Sequence, residues 1–208
     1  MDMAGGRTGF QGWQGGTTQA APSGLLKRHW HNLRQGAALP RRDAITPRAI
    51  AGMLDHVLMA ERRPGGAVLL RYAGTAVNAV HGQDLTGRPL SALFEIGMRD
   101  LLLGALELAF AGNRTLEMVL YSERGLTRPP LMARLTLLPL APVASEGVTL
   151  IGCLDLDGPP VLPPRRFRIE RVLGVPLTTW PTHSAPAEHP PDRAPRGETG
   201  PVLVWSGG

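Results

Sequence analysis

Cys153 is the first residue to test for chemistry, and it stands alone. A single thiol forms no intrachain disulfide and excludes a zinc site built on paired thiolates. It lies in the apolar run Val148–Leu156, where a lone cysteine acts as a small buried hydrophobe. The histidines pair no better. His29 and His31 are two apart, so a helix points them in different directions. His56 and His81 share no ligand spacing. The string GGRTGFQGWQGG resembles a phosphate loop in its glycines, but it has no Gly-Lys-Ser/Thr and no strand before it. No serine sits in Gly-x-Ser-x-Gly, no paired carboxylates stand out, and kinase and cyclic-dinucleotide output motifs are absent. These residues predict a non-enzymatic chain without a metal site.

Charge narrows the partners. The chain has 208 residues and a net charge of +5. Residues 1–45 carry +4, residues 158–208 carry +2, and the middle segment 46–157 carries −1. A nucleic-acid footprint needs a basic face on the folded domain. Here the excess lies in the flanks, so at most weak nucleic-acid binding through those flanks is expected. No apolar run approaches the ~20 residues that span a bilayer, and the start lacks the layout of a secretory signal. The expectation is a cytoplasmic protein with no membrane partner.

The elements that would position any site follow from periodicity. Residues 1–23 are rich in Gly, Thr and Gln and read as a disordered leader. Ser23 is placed to cap a helix over residues 24–35, whose Leu25, Leu26, Trp30 and Leu33 share one face. That face packs on the domain or on a partner. Leu39 to Asp43 reads as an extended link, and Thr46-Pro47 as the start of a helix running to about Leu54. Val57–Arg62 and Ala67–Tyr72 are strand-length runs around Pro64-Gly65-Gly66, a hairpin signal. Short helical segments follow at 74–80 and 91–94, then a long helix marked by Met98, Leu101, Leu102, Ala105, Leu106, Ala109 and Phe110. Three further strands are expected at 115–122, 131–140 and 148–156. From Gly158 onward the chain is proline-rich and reads as a mostly disordered tail. Two apolar islands interrupt it, around Phe167 and at Val202 to Trp205.

This order resembles that of a PAS domain. The local wording carries the resemblance further: Leu39-Pro40-Arg41-Arg42-Asp43 with the Thr46-Pro47 helix, Leu70-Arg71-Tyr72-Ala73-Gly74-Thr75, and Gly82-Gln83-Asp84-Leu85-Thr86-Gly87-Arg88. Together they resemble an alphaproteobacterial family of single-PAS-domain proteins of unassigned function, in which a Trp-bearing helix, as with Trp30, comes first. The resemblance covers residues 24–157 and implies an α+β fold. Its parts are a five-stranded antiparallel sheet, short helices and one long helix on one face, and the N-terminal amphipathic helix.

The motif residues have physical roles of their own. Gly74, Gly82 and Gly87 stand at turns, where glycine tolerates positive φ. Asp84 is expected to accept backbone N–H groups as an Asx-turn residue, and Arg88 to pair with it; Thr75 and Thr86 complete the motif. PAS cofactors leave marks that are missing here. Residues 77–88 hold no flavin-reactive cysteine, and residues 97–112 hold no haem histidine, so no cofactor is expected. PAS geometry would place a ligand pocket near Tyr72, Asn78, His81, Phe94, Leu102 and Leu106. Arg71, Tyr72, Asn78 and His81 are its polar candidates; the apolar members read as core. The resemblance implies a sensory or regulatory protein that binds a small ligand or a signalling partner. The alternative is an interaction adapter that dimerises through Leu25, Leu26, Trp30 and Leu33.

Overall fold

The computed structural model describes residues 21–34, 39–111, 114–123, 129–142, 148–160 and 162–177, and the backbone of 202–205. A sheet forms the centre of the fold. Its strands are β1 (Val57–Arg62), β2 (Val68–Ala73), β3 (Arg114–Ser122), β4 (Leu131–Pro139), β5 (Thr149–Leu156), β6 (Arg168–Pro176) and β7 (Val202–Trp205). Across the sheet they run β2-β1-β5-β4-β3-β6-β7. The first six pair antiparallel, and β7 adds parallel to β6.

Both faces of the sheet are buried, each for a reason legible in the side chains. On one face, Leu58 and Ala60 of β1, Leu116, Met118 and Leu120 of β3, and Leu135 and Leu137 of β4 point into the main core. Alternation with a period of two puts them on the same side. Helix α2 (Thr75–His81) and helix α3 (Arg99–Phe110) cover this face. Helix α3 contributes Leu102, Ala105, Leu106, Ala109 and Phe110, the three- and four-residue spacing of a helix face. Arg62 at the end of β1 reaches Glu107 of α3 at 2.8 Å and ties the helix to that strand.

On the other face lies helix α1 (Pro22–Leu33). Its Leu26 and Trp30, one turn apart, are buried with Ile50, Met53, Val57, Leu138, Leu140, Ile151 and Cys153 in a second core. The indole Nε1 of Trp30 donates to the Pro139 carbonyl at 2.9 Å. Lys27 reaches Glu117 on β3 at 2.7 Å.

Four expectations need correction. First, the sheet has more than five strands, because the apolar island after Phe167 forms β6 against β3 and the second island forms β7. Residue 157 is therefore not the edge of the folded unit: Ile169 and Val172 are buried in the main core. The interior of the tail lies outside the described residues, as do residues 1–20.

Second, Ser23 is not the cap of α1. The helix begins two residues before the expected start, at Pro22, where a ring-fixed φ and a missing N–H suit the first position. Ser23 then sits in the first turn, and its backbone N–H donates to Asp155 Oδ1 on β5 at 3.1 Å. Its hydroxyl donates to Asp155 Oδ2. A carboxylate on the sheet thus satisfies a helix donor that no local side chain reaches.

Third, no α-helix starts at Thr46-Pro47. The chain makes a turn and then a 3-10 helix, Ala51–His56. Ala49 N–H bonds Thr46 O and Met53 N–H bonds Ile50 O, both at 3.0 Å. The buried pair Ile50 and Met53 is three residues apart, matching three residues per turn. Fourth, the link before it holds a short 3-10 turn, Arg42–Ala44.

Candidate functional site

The space between the sheet, the short helices and α3 is filled by side chains. Leu58, Leu70, Val77, Val80, Leu85, Leu90, Leu93, Phe94, Leu102 and Leu106 are all at most 2% exposed. Phe94, Leu102 and Leu106 are thus core. Phe167, which follows β5 by eleven residues, is buried among them. Its backbone N–H bonds Leu93 O at 2.9 Å, and its carbonyl accepts from Glu95 N–H at 3.0 Å. One residue pair earlier, Arg165 N–H bonds Val80 O at 2.7 Å. The segment after β5 therefore closes the core between the end of α2 and the Leu93–Glu95 backbone.

The four polar candidates do not converge on one point. Arg71 is exposed on β2, and its Nε lies 3.0 Å from Glu61 Oε2. Tyr72 is also exposed and donates to the Leu54 carbonyl at 3.3 Å. Asn78 spans two backbone groups: its Nδ2 donates to Ala73 O at 3.0 Å, and its Oδ1 accepts Leu85 N–H at 3.0 Å. His81 accepts from Gln83 Nε2 at 2.8 Å. Burial, and then the charges of Arg166 and Arg88, hold its pKa below the ordinary value.

The glycine- and aspartate-bearing motif builds the outer wall of the fold. Asp84 Oδ1 accepts Thr86 N–H at 2.9 Å, the expected Asx-turn. These bonds from Thr86 hold the Asp84 carboxyl below its ordinary value. Arg88 forms no ion pair with it; the Asp84 carboxylate is met by Thr86, and both Asp84 and Arg88 are exposed. The turn instead clips the edge of β2: Gly87 N–H bonds Leu70 O at 2.6 Å and Leu70 N–H bonds Arg88 O at 2.8 Å. Gly82 and Gly87 take φ of 77° and 79°, as expected. Gly74 does not. Its φ is −66°, and glycine is needed there because a Cβ would lie 2.3 Å from the carbonyl oxygens of Leu54 and Asp55. Thr75 ties the same junction, with Oγ1 donating to Asp55 Oδ1 at 2.7 Å.

Of the interface candidates, Leu26 and Trp30 are buried against the chain's own sheet, while Leu25 and Leu33 are half-buried. Cys153 is buried beside Asp155, and burial followed by that carboxylate pushes its thiol pKa up, which makes it a poor nucleophile. His56 is bound through Nδ1 to Leu154 O at 2.9 Å. Among the described residues, no group of three His, Cys, Asp or Glu side chains could hold a metal ion.

Two features escaped sequence reasoning. Glu61 is a nearly buried carboxylate clamped by Arg63 Nε at 3.3 Å and Arg71 Nε at 3.0 Å. An open groove of about 430 Å³ is lined by Glu95, Ser122, Glu123, Pro164 and Arg166. It joins the end of β3 to the segment after β5, so neither part of the sequence could announce it alone.

Among the described residues no helix is long and apolar enough to cross a membrane. No curated protein matches the chain. Residues 18–155 match the family described as PAS domain; that stretch is well over half of the chain and contains α1, the motif loop, α3, β1 to β4 and all but the last residue of β5. The chain belongs to the PAS domain family.

Proposed function

We propose that this chain is a non-enzymatic regulatory PAS protein of the cytoplasm that transmits its state by contact with another protein chain, not through a small molecule held in its core. The observation that carries this reading is Phe167. The chain's own segment after β5 fills and closes the space between sheet and helices, and Asn78, a polar side chain on α2, is committed to two backbone groups. Native mass spectrometry of the protein purified without added ligand tests it. The expected result is the bare chain mass; a stoichiometric adduct released on unfolding would refute it.

A second reading is favoured by the groove at Glu95, Ser122, Glu123 and Arg166. Acidic and guanidinium groups facing one cleft suit a small ligand carrying both charges. An adduct that persists in the wild type and is lost in Arg166→Ala would support this second reading.

A further inference from the structure

The two edges of the sheet are closed in different ways. At the β2 edge, the cover is the Gly87 to Pro89 turn, which follows β2 closely in the chain. That cover is local and has nowhere else to go. At the β6 edge, the cover is β7, whose residues 202–205 pair parallel with Arg171, Val172, Leu173 and Gly174. Twenty-four residues, 178–201, separate β7 from Leu177. A parallel neighbour cannot be joined by a hairpin and needs a long connection. β7 therefore arrives at the edge as a separate segment.

The pairing spans a selected part of β6. Strand β6 has nine residues, and its first part, Arg168, Glu170 and Arg171, is charged and exposed, the composition that discourages edge pairing. The paired stretch runs from Arg171 into Val172, Leu173 and Gly174. The arriving segment is Val-Leu-Val-Trp, rich in residues that favour strands. Its contribution is main-chain hydrogen bonding along an open edge, the mode by which extended peptides add to sheets.

We propose that the β6 edge is a strand-accepting site whose partner is the C-terminal segment of a second copy of this chain, and that the pairing with its own residues 202–205 is the closed, monomeric form of the same contact. An identical segment forms the same backbone bonds in trans as in cis, so exchange costs little. The balance is set by concentration, because a tethered strand competes at an effective concentration on the order of millimolar. The proposal specifies the protein contact of the reading above, and it stands on the β6–β7 pairing alone.

The test uses the full chain. Wild-type protein is refolded from urea at concentrations from about 10 μM to about 1 mM and measured by sedimentation velocity; the dimer fraction is expected to rise across that range. In the double variant Leu203→Pro, Val204→Pro, one of two successive N–H groups that would face β6 is necessarily lost. That variant is expected to stay monomeric throughout, with circular dichroism reporting its fold. A fluorescent peptide of residues 201–208 is then expected to bind the variant at least tenfold more tightly than the wild type, whose edge is occupied. A wild type that stays monomeric at every concentration overturns the proposal. So does a dimer that survives the double substitution, or a peptide that does not distinguish the two proteins. These readouts are independent of ligand content, so a small-molecule adduct found by mass spectrometry would refute the functional reading and leave this one standing.

Discussion

Substituting alanine for the three motif glycines separates two reasons for glycine that look alike in sequence. At Gly87 a Cβ meets nothing within 4 Å, and the cost is the φ of 79° alone. For a non-glycine residue in that region it is about 1–2 kcal/mol. At Gly82 the φ is 77° and the Pro163 ring carbons lie 3.0 Å from the added carbon, so the cost is the same amount plus a small contact penalty, about 2 kcal/mol together. At Gly74 the backbone angle suits any residue, yet the added carbon would sit 2.3 Å from two carbonyl oxygens and 2.5 Å from the Asp55 carbonyl carbon. Relief requires the Ala51–His56 segment and the start of α2 to separate by about 0.7 Å or more, against a shortest tolerable contact of 3.0 Å. The atoms are backbone, and Gly74 N–H is itself bonded to Val57 O at 2.9 Å. The expected loss is about 3–5 kcal/mol. At about 2–4 °C per kcal/mol for a chain of this size, Gly74→Ala should lower Tm by about 10 °C and Gly87→Ala by less than half of that. Urea and thermal unfolding measure both. Gly87→Asn should recover part of the Gly87→Ala loss, because asparagine tolerates the left-handed region, whereas Gly74→Asn should be no better than Gly74→Ala. Equal losses at Gly74 and Gly87, or a rescue by asparagine at Gly74, would refute the reasoning.

Trp30→Ala should cost about 3–5 kcal/mol in urea unfolding, and Trp30→Phe less, since it keeps most of the buried area but leaves the Pro139 carbonyl without its indole donor. Asp155→Ala strips Ser23 of both its acceptors and should cost about 1–3 kcal/mol, with faster hydrogen exchange at the first turn of α1. Cys153 should react with a thiol reagent in denaturant and not in the folded protein, since burial and Asp155 raise its pKa. His81 has its folded pKa lowered from an ordinary value of 6.5, so the unfolded chain takes up the proton more readily. Stability should be intact above that ordinary value and fall as the pH drops from it through the depressed folded value. His81→Gln should therefore show a smaller drop in Tm between about pH 7 and pH 5.

Much of the fold is legible because burial writes its own period. Strands β1 to β5 appear in the chain as strand-length apolar or alternating runs and helix α3 as a run spaced by three and four, and the structure places each within a few residues of its expected span. The Asx-turn at Asp84 was legible for a similar reason, since donor and acceptor are two residues apart. What escaped was long in sequence and short in space. Ser23 and Asp155 are 132 residues apart, and nothing local marks Asp155 as the group that completes the first turn of α1. Proximity in sequence pairs Arg88 with Asp84, but the Arg88 backbone serves the edge of β2 instead.

Phe167 shows where the division falls. Its type and its apolar neighbours made it an island in a proline-rich tail, and its own sequence context could go no further. Only the tertiary structure decides that the island enters the core, lengthens the sheet through β6 and leaves an edge for β7. The physical reason is that secondary structure answers to the spacing of nearby side chains, whereas the docking of a segment answers to the surface awaiting it. That surface, the free edge of β3 beside the Leu93–Glu95 backbone, exists once the preceding strands have paired. The element order and the absence of catalytic motifs were properties of the sequence. The closed core, the six antiparallel strands and the β6 edge that takes up β7 belong to the fold.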